Sequence, residues 1–262
     1  MPAEETAPAA PATPATPDTA QVLHTHRDGD VTVLELHRPE RRNALDLALC
    51  RALHDAAAGA VEDGARVLVI TGHGTAFCAG ADLGGVYGEE FLEALYGMLH
   101  GLTRLPVPVI AAVNGPAIGA GTQLAIASDL RVADETARFA VPTPRNGMAV
   151  DAWTMRMLAH LAGGGVARRL MVAADTLTRD EALQHGLVDR TGTLEDALAW
   201  AHEIAALAPL SLAHNKAVLS AMVDTAHDAA TQASFDACWA SEDVREAAAA
   251  RAEKRTPVFR GR

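Results

Sequence analysis

A buried strand running without a break into a loop of small residues occurs twice in this chain, as VLVITGHGTAFCAGADL (residues 67–83) and VIAAVNGPAIGAGTQLA (residues 109–125). Short apolar runs bounded by glycine read as buried strands. Where glycine and alanine follow, a ligand can approach the backbone closely, because no side chain stands in the way. The second loop opens onto a short apolar helix, and the first N–H groups of a helix are unpaired and carry partial positive charge. Such a spot suits an anion or a developing oxyanion. A tight turn with close helix packing is the plainer use of the same glycines.

The remaining segments supply the scaffold. QVLHTHRDGDVTVLEL (21–36) reads as two alternating strands joined at Asp28-Gly29. DLALCRALHDAAAGAVEDG places Leu49, Leu53, Ala56 and Ala60 on one helical face, with Asp46 near the start and Gly64 past the end. EEFLEALYGMLHGLTRL predicts an amphipathic helix stopped before Pro106, and LRVADETARFAVP two short strands. Beyond Asp151 the pattern is almost wholly helical, over 151–161, 166–174, 179–185 and 195–207, then in two long segments to about Lys254. Strands alternating with helices argue for an α/β fold. Because the strands come in pairs, ββα units coiling on themselves fit better than a simple doubly wound sheet. Residues 1–20, MPAEETAPAAPATPATPDTA, are of low complexity and are expected to form a disordered tail. Residues 21–200 then form the core, and 201–262 a helical C-terminal region.

Charge and composition exclude several classes. A net charge of −11 with no basic block argues against a nucleic-acid partner. No run approaches the ~18 apolar residues of a membrane span, and no basic-then-apolar leader opens the chain. Cys50, Cys78 and Cys238 are odd in number and widely spaced, which argues against a disulfide framework and fits a reducing cytoplasm. The histidines include no pair at ligand spacing on one helix; His54 and His160 read as surface or core residues, and no metal is expected. Gly72-His73-Gly74 is followed by Phe77 where a dinucleotide fingerprint needs its third glycine.

Each small-residue loop can present one N–H, at Ala79 and at Ala120, and two N–H groups converging on one oxygen form an oxyanion hole. HRPERRNAL (37–45), TAFCAGADL (75–83) and NGPAIGAGTQLA (114–125), with the ending EKRTPVFRGR (253–262), resemble the signatures of the crotonase, or enoyl-CoA hydratase/isomerase, superfamily. The match runs in order from about residue 22 to the end. The resemblance implies a crotonase-like spiral of ββα units, a helical C-terminal trimerisation region, and a homotrimer or dimer of trimers. It implies as ligand a coenzyme A thioester, with no further cofactor, its carbonyl lying between the amides of Ala79 and Ala120 beside Gly119. The segment Ala79, Gly80, Ala81, Asp82 and Leu83 would line the adenine side, with Asp82 holding the loop. Arg41 and Arg42, beside Ala44, fall where the family places basic residues near CoA phosphates, which guanidinium groups suit; a solvated loop is the alternative. Lys254 would reach CoA from a neighbouring subunit or pair with a surface charge. Ala247 replaces a glycine usual in the last helix.

Hydratases of this family carry two glutamates near the thioester, at positions matched here by Gln123 and Thr143. Neither can act as a carboxylate base. Gln123 would donate a hydrogen bond in the pocket or pack as a helix amide. Asp151 lies where some relatives of other chemistry carry an aspartate, and is a catalytic group, a helix cap or both. The chain thus resembles an actinobacterial branch that keeps the CoA signatures without either glutamate. The expectation is an acyl-CoA-binding protein of fatty-acid metabolism without hydratase turnover; the alternative is an acyl-CoA isomerase or related enzyme using Asp151.

Overall fold

The computed structural model describes residues 22–84, 88–223 and 229–261. The Ala/Pro/Thr segment expected to be a tail lies outside the described residues. β1 (Leu23–Asp28) and β2 (Val31–Leu36) pair antiparallel across the Asp28-Gly29 turn, with Gly29 at φ +59°. Asp46 caps α1 (Leu47–Glu62) by accepting from Leu49 N–H at 2.8 Å. β3 (Val67–Gly72), α2 (Glu89–Arg104), β4 (Val109–Val113), β5 (Pro116–Ile118) and α3 (Ala120–Ala127) follow, then β6 (Leu130–Ala133) and β7 (Arg138–Ala140).

The chain beyond Asp151 is less uniformly helical than its pattern suggests. The helices expected over 151–161 and 166–174 fall largely within α4 (Ala152–Met171), two helical stretches divided by a kink at Gly163, whose φ of 84° and ψ of 152° are non-helical. Two short strands separate the helices that come next: β8 (Thr176–Thr178) precedes α5 (Arg179–Gln184), and β9 (Arg190–Thr191) precedes α6 (Leu194–Ala205). Runs this short show no period, which is why the sequence hides them. The two long segments expected at the end are three helices among the described residues, α7 (Pro209–Ala221), α8 (Ala229–Ala240) and α9 (Glu242–Ala252).

The main sheet has the order β1-β2-β3-β4-β6-β9, parallel after the first hairpin. A second sheet, β5-β7-β8, stands beside it. Strand alternation divides the core into two layers. Leu34, Leu36, Leu68 and Ile70 face α1 and α2, and Val31, Val33, Val67 and Val69 face Ala197, Ala201 and Ile204 of α6. The second sheet matters for function because β5 lies directly between β4 and α3. It holds the glycine-rich helix start against the 75–83 loop, through Cys78 N–H to Pro116 O at 3.1 Å and Ile118 N–H to Cys78 O at 2.9 Å.

Candidate active site

The two small-residue loops do meet. On one side the 78–82 segment pairs with β5; on the other it pairs with the loop before α1, where Leu45 N–H donates to Gly80 O at 2.7 Å and Asp82 N–H to Leu45 O at 2.7 Å. Gly80 sits at φ +105°, and a Cβ added there would lie 2.8 Å from Ile118 O and 3.7 Å from Ala120 N. Only a residue without a side chain allows this approach. At Gly121 an added Cβ would fall 2.1 Å from Cys78 O.

One expected donor is reassigned by these bonds. Ala79 N–H donates to Arg42 O at 2.9 Å, so it faces away from the cleft and is not available to a ligand. Simple alternation from Cys78 would turn Ala81 the same way as Ala79. The positive φ of Gly80 resets that alternation: Gly80 O and Asp82 N–H both serve Leu45, and Ala81 N–H is left pointing to the β5–α3 side. Among the described hydrogen bonds neither Ala81 N–H nor Ala120 N–H is used. Ala120 is the first residue of α3, so no intrahelical partner exists for its N–H.

Ala79, Gly80, Ala81, Leu83, Gly119, Ala120, Gln123 and Thr143 all line one cavity of about 220 Å³. Its other walls are mainly apolar side chains of α2, Met148 and Trp239, whose Nε1 donates to Ala149 O at 3.1 Å, with Asn146 among them. Among the described lining residues there is no carboxylate, imidazole or cationic group. Tyr96 is the one titratable side chain among them. Burial pushes its phenol up, the Asp151 charge adds to that, and hydrogen bonds with Asp151 N–H and Gln123 offset only part. It therefore stays protonated and neutral. Gln123, 2% exposed, donates to Thr154 Oγ1 at 2.8 Å.

Asp151 does not line this cavity. Its Oδ1 caps α4 by accepting from Thr154 N–H at 3.0 Å and also accepts from the Thr154 hydroxyl, while Oδ2 faces His100 Nε2 at 3.2 Å. Both oxygens are committed, and the capping alternative describes what is seen.

Arg41, Arg42, Ala44, Asp82 and Lys254 also lie off the cavity lining. Arg41 and Arg42 are exposed, and Arg42 is at φ 50°, which aims its carbonyl at Ala79. Lys254 is exposed at φ 54° after α9. Asp82 bonds to Arg38 and accepts from Gly84 N–H of its own loop. Only 13% of the Arg38 side chain is exposed; it reaches Asp82 Oδ2 at 3.2 Å and Asp46 Oδ2 at 3.0 Å and donates to Ala44 O. Burial alone would raise the Asp82 carboxyl, but the Gly84 N–H and the Arg38 guanidinium, with Arg41 nearby, hold it below the usual carboxylate range.

Sequence reasoning passed over Arg38, Asn43, Tyr96, Met148 and Trp239. Arg38 lies in the same HRPERR run as the two arginines it favoured, and no pattern in one sequence says which turns inward. Asn43, buried and at φ 56°, donates to His73 O and Ala76 O and so fixes the start of the loop.

Comparison with known proteins gives the family and the fold. The family described as enoyl-CoA hydratase/isomerase matches residues 26–262. The "Probable enoyl-CoA hydratase echA6" of Mycobacterium tuberculosis is 47% identical over 234 residues, covering 88% of this chain and 96% of its own length. The 2,3-dehydroadipyl-CoA hydratase of Escherichia coli is 36% identical over 248 residues, covering 90% and 97%. A crystal structure of an enoyl-CoA hydratase/isomerase from Pseudoalteromonas atlantica superposes with a TM-score of 0.83 at 31% identity, over 91% of this chain and 100% of that one. A methylmalonyl-CoA decarboxylase shares the fold, with a TM-score of 0.85 at 24% identity, over 92% and 99%.

Proposed function

We propose, starting from the fact that this chain belongs to the enoyl-CoA hydratase/isomerase family, that its cleft holds the acyl part of a coenzyme A thioester without hydratase turnover. The thioester oxygen takes the N–H groups of Ala81 and Ala120. The observation that carries the reading is that Ala81 and Ala120, whose N–H groups are unused among the described hydrogen bonds, line a cavity whose described lining contains no carboxylate. Two donors suit a carbonyl oxygen and would stabilise charge developing on it. Hydration further needs a base for the water and an acid for the α-carbon. Among its described residues the lining offers Gln123, Thr143, Asn146 and a phenol held neutral. The relatives are named for CoA thioesters, and the place of this protein is accordingly fatty-acid metabolism.

Arg41 and Arg42 are exposed beside the loop, free of any described ion pair, and are assigned to the CoA phosphates. Asp151 has less to support it as a proton shuttle, since its oxygens serve Thr154 and His100. Leu210, Leu219 and Met222 on and after α7 are 86%, 58% and 61% exposed; covering them in a trimer or a dimer of trimers accounts for that apolar surface. A reducing, cytoplasmic setting goes with cysteines that are all free. Among the described residues no helix is long and apolar enough to cross a membrane.

The test pairs binding with turnover. Acyl-CoA esters should raise the melting temperature and bind saturably, and the corresponding alkyl-CoA thioethers, which lack the carbonyl, should bind about 5-fold more weakly. Ala120→Pro should erase that difference, because proline is tolerated at the first helical position and puts its ring Cδ where the N–H donated. Crotonyl-CoA should remain unhydrated at high protein concentration. Measurable hydration overturns the absence of turnover, and a thioether bound as well as the thioester overturns the two-amide cradle.

A further inference from the structure

On the face of the sheet away from α1 and α2, beyond the end of α6, four side chains gather that the cleft does not use. His24 of β1 stands directly across from Glu35 of β2. His37 follows two residues later, on the same face by strand alternation. His73 follows β3, and its N–H donates to Leu36 O at 2.8 Å, which places it beside His37. Within the group, Glu35 Oε2 is 3.7 Å from His24 Nδ1 and 4.0 Å from His37 Nδ1, and Glu35 Oε1 is 3.1 Å from His73 Nδ1. The His24 and His37 rings stack with centroids 3.8 Å apart, and those of His37 and His73 lie 4.4 Å apart.

A polar network held for its own hydrogen bonds would satisfy its buried members. Here His37 Nδ1 is buried without a hydrogen-bond partner, a defect that destabilises the fold when nothing fills it. Three imidazoles crowded on one carboxylate also repel one another whenever more than one is protonated. A cation resolves both, since it binds neutral imidazole nitrogen and ionised carboxylate together.

We propose that His24, Glu35 and His37 form a binding site for a divalent transition-metal ion of the zinc class, with His73 orienting Glu35 from its other oxygen. One donor atom from each of the three ligands already lies within 4.8 Å of the others. Metal–ligand distances of about 2.0–2.2 Å put the donors of a tetrahedral site roughly 3.4 Å apart. The two carboxylate–imidazole separations, 3.7 and 4.0 Å, are both longer than that value, the second by about 0.6 Å. With 48%, 30% and 28% of their side chains exposed, His24, Glu35 and His37 have room to close. Two nitrogens and one oxygen form a donor set that zinc accepts, leaving a fourth position for water. His73 supplies the second layer of hydrogen bonding that fixes a carboxylate ligand. The ion clamps β1 to β2 and, through His73, the start of the loop that Asn43 pins at His73 O. Its role is to stiffen the scaffold of that loop.

The experiment uses the full chain without an affinity tag, stripped by chelator and titrated with zinc chloride, then with cobalt chloride for its visible spectrum. One equivalent should bind with a rise in melting temperature, and the cobalt form should show the absorption of a low-coordinate nitrogen–oxygen site. Glu35→Gln and His37→Asn should each weaken zinc at least about 10-fold, His73→Asn by less. His160→Asn, an exposed histidine elsewhere on α4, should leave binding unchanged. Far-UV circular dichroism checks that each variant is folded. Zinc binding that is non-saturable, or that survives His24→Asn/His37→Asn in a folded protein, overturns the site. Acyl-CoA affinity of the metal-free protein is measured alongside, so failure of the metal site and failure of the cleft reading are separately visible.

Discussion

The wall of the cleft built from residues 78–82 and 117–121 keeps its shape through main-chain bonds to β5 and Leu45, with Arg38 and Asn43 tying the adjoining loops from buried positions. The opposite wall, from Thr143 to Val150 with Tyr96 and Trp239, has main-chain bonds within its own turn, such as Met148 N–H to Thr143 O at 3.1 Å, and is tied to the neighbouring helices by side chains, Tyr96 to Asp151 N–H and Trp239 to Ala149 O. A bonded backbone wall has few alternative arrangements, and its small residues leave no freedom in where its N–H groups point. A side-chain wall can be re-cut by substitution without disturbing the first. The division of labour follows: the first wall fixes what functional group is held, the second what chain is attached to it and what chemistry can reach it.

The hardest test of that division is to change the chemistry and leave the cradle alone. Gln123→Glu with Thr143→Glu places a carboxylate on each side of the proposed thioester. Since one general acid–base group contributes about 10²–10⁴ in rate, crotonyl-CoA hydration should rise at least ~10²-fold over the unsubstituted background. Stability should fall, because Gln123 is 2% exposed and the Thr154 hydroxyl it now donates to is already bonded to Asp151. A double variant that binds acyl-CoA, stays folded and still fails to hydrate would show that Ala81 and Ala120 do not polarise the carbonyl.

What the sequence disclosed, and what it withheld, divides along the same line. The small-residue loops were legible because they are made of glycines and alanines at fixed offsets from apolar strands, and those are local signals. Which of their amides is left unused was not: Ala79 and Ala81 are the same residue type, and the sequence does not print that Ala79 N–H goes to Arg42 O beside the positive φ of Gly80. Gln123 and Thr143, neither a carboxylate, were legible as candidates. Tyr96 was not, since its place on an amphipathic helix reads as core. β8 and β9 are too short to carry a period. The histidine cluster escaped for a related reason. Its members at 24, 35, 37 and 73 share no helical spacing and are assembled by cross-strand register, which one sequence does not print.

The next effect in size contrasts one residue from each wall. Gly121→Ala forces a Cβ against the Cys78 carbonyl at 2.1 Å, and that oxygen is held by Ile118 N–H. Neither side can yield cheaply, so stability should drop by about 1–3 kcal/mol with loss of acyl-CoA binding, read as a lower melting temperature and a flat titration. Met148→Ala, half-buried on the opposite wall, should retain binding and shift preference toward longer or bulkier acyl groups. Equal losses in the two variants would abolish the distinction between the walls.

The smallest expected effect concerns Asp151, which stands behind the side-chain wall without reaching into it. Asparagine caps a helix about as well as aspartate, so Asp151→Asn should change stability by only a few tenths of a kcal/mol. Asp151→Ala, which removes the oxygen that accepts from Thr154 N–H, should cost about 0.5–2 kcal/mol. Acyl-CoA affinity should be the same in both. The measurement is urea unfolding of the three proteins beside a turnover assay on a 3-enoyl-CoA. If Asp151→Asn keeps its stability but loses isomerisation that the unsubstituted protein performs, the aspartate is a proton carrier after all, and the chemistry of the cleft extends one layer deeper than its lining.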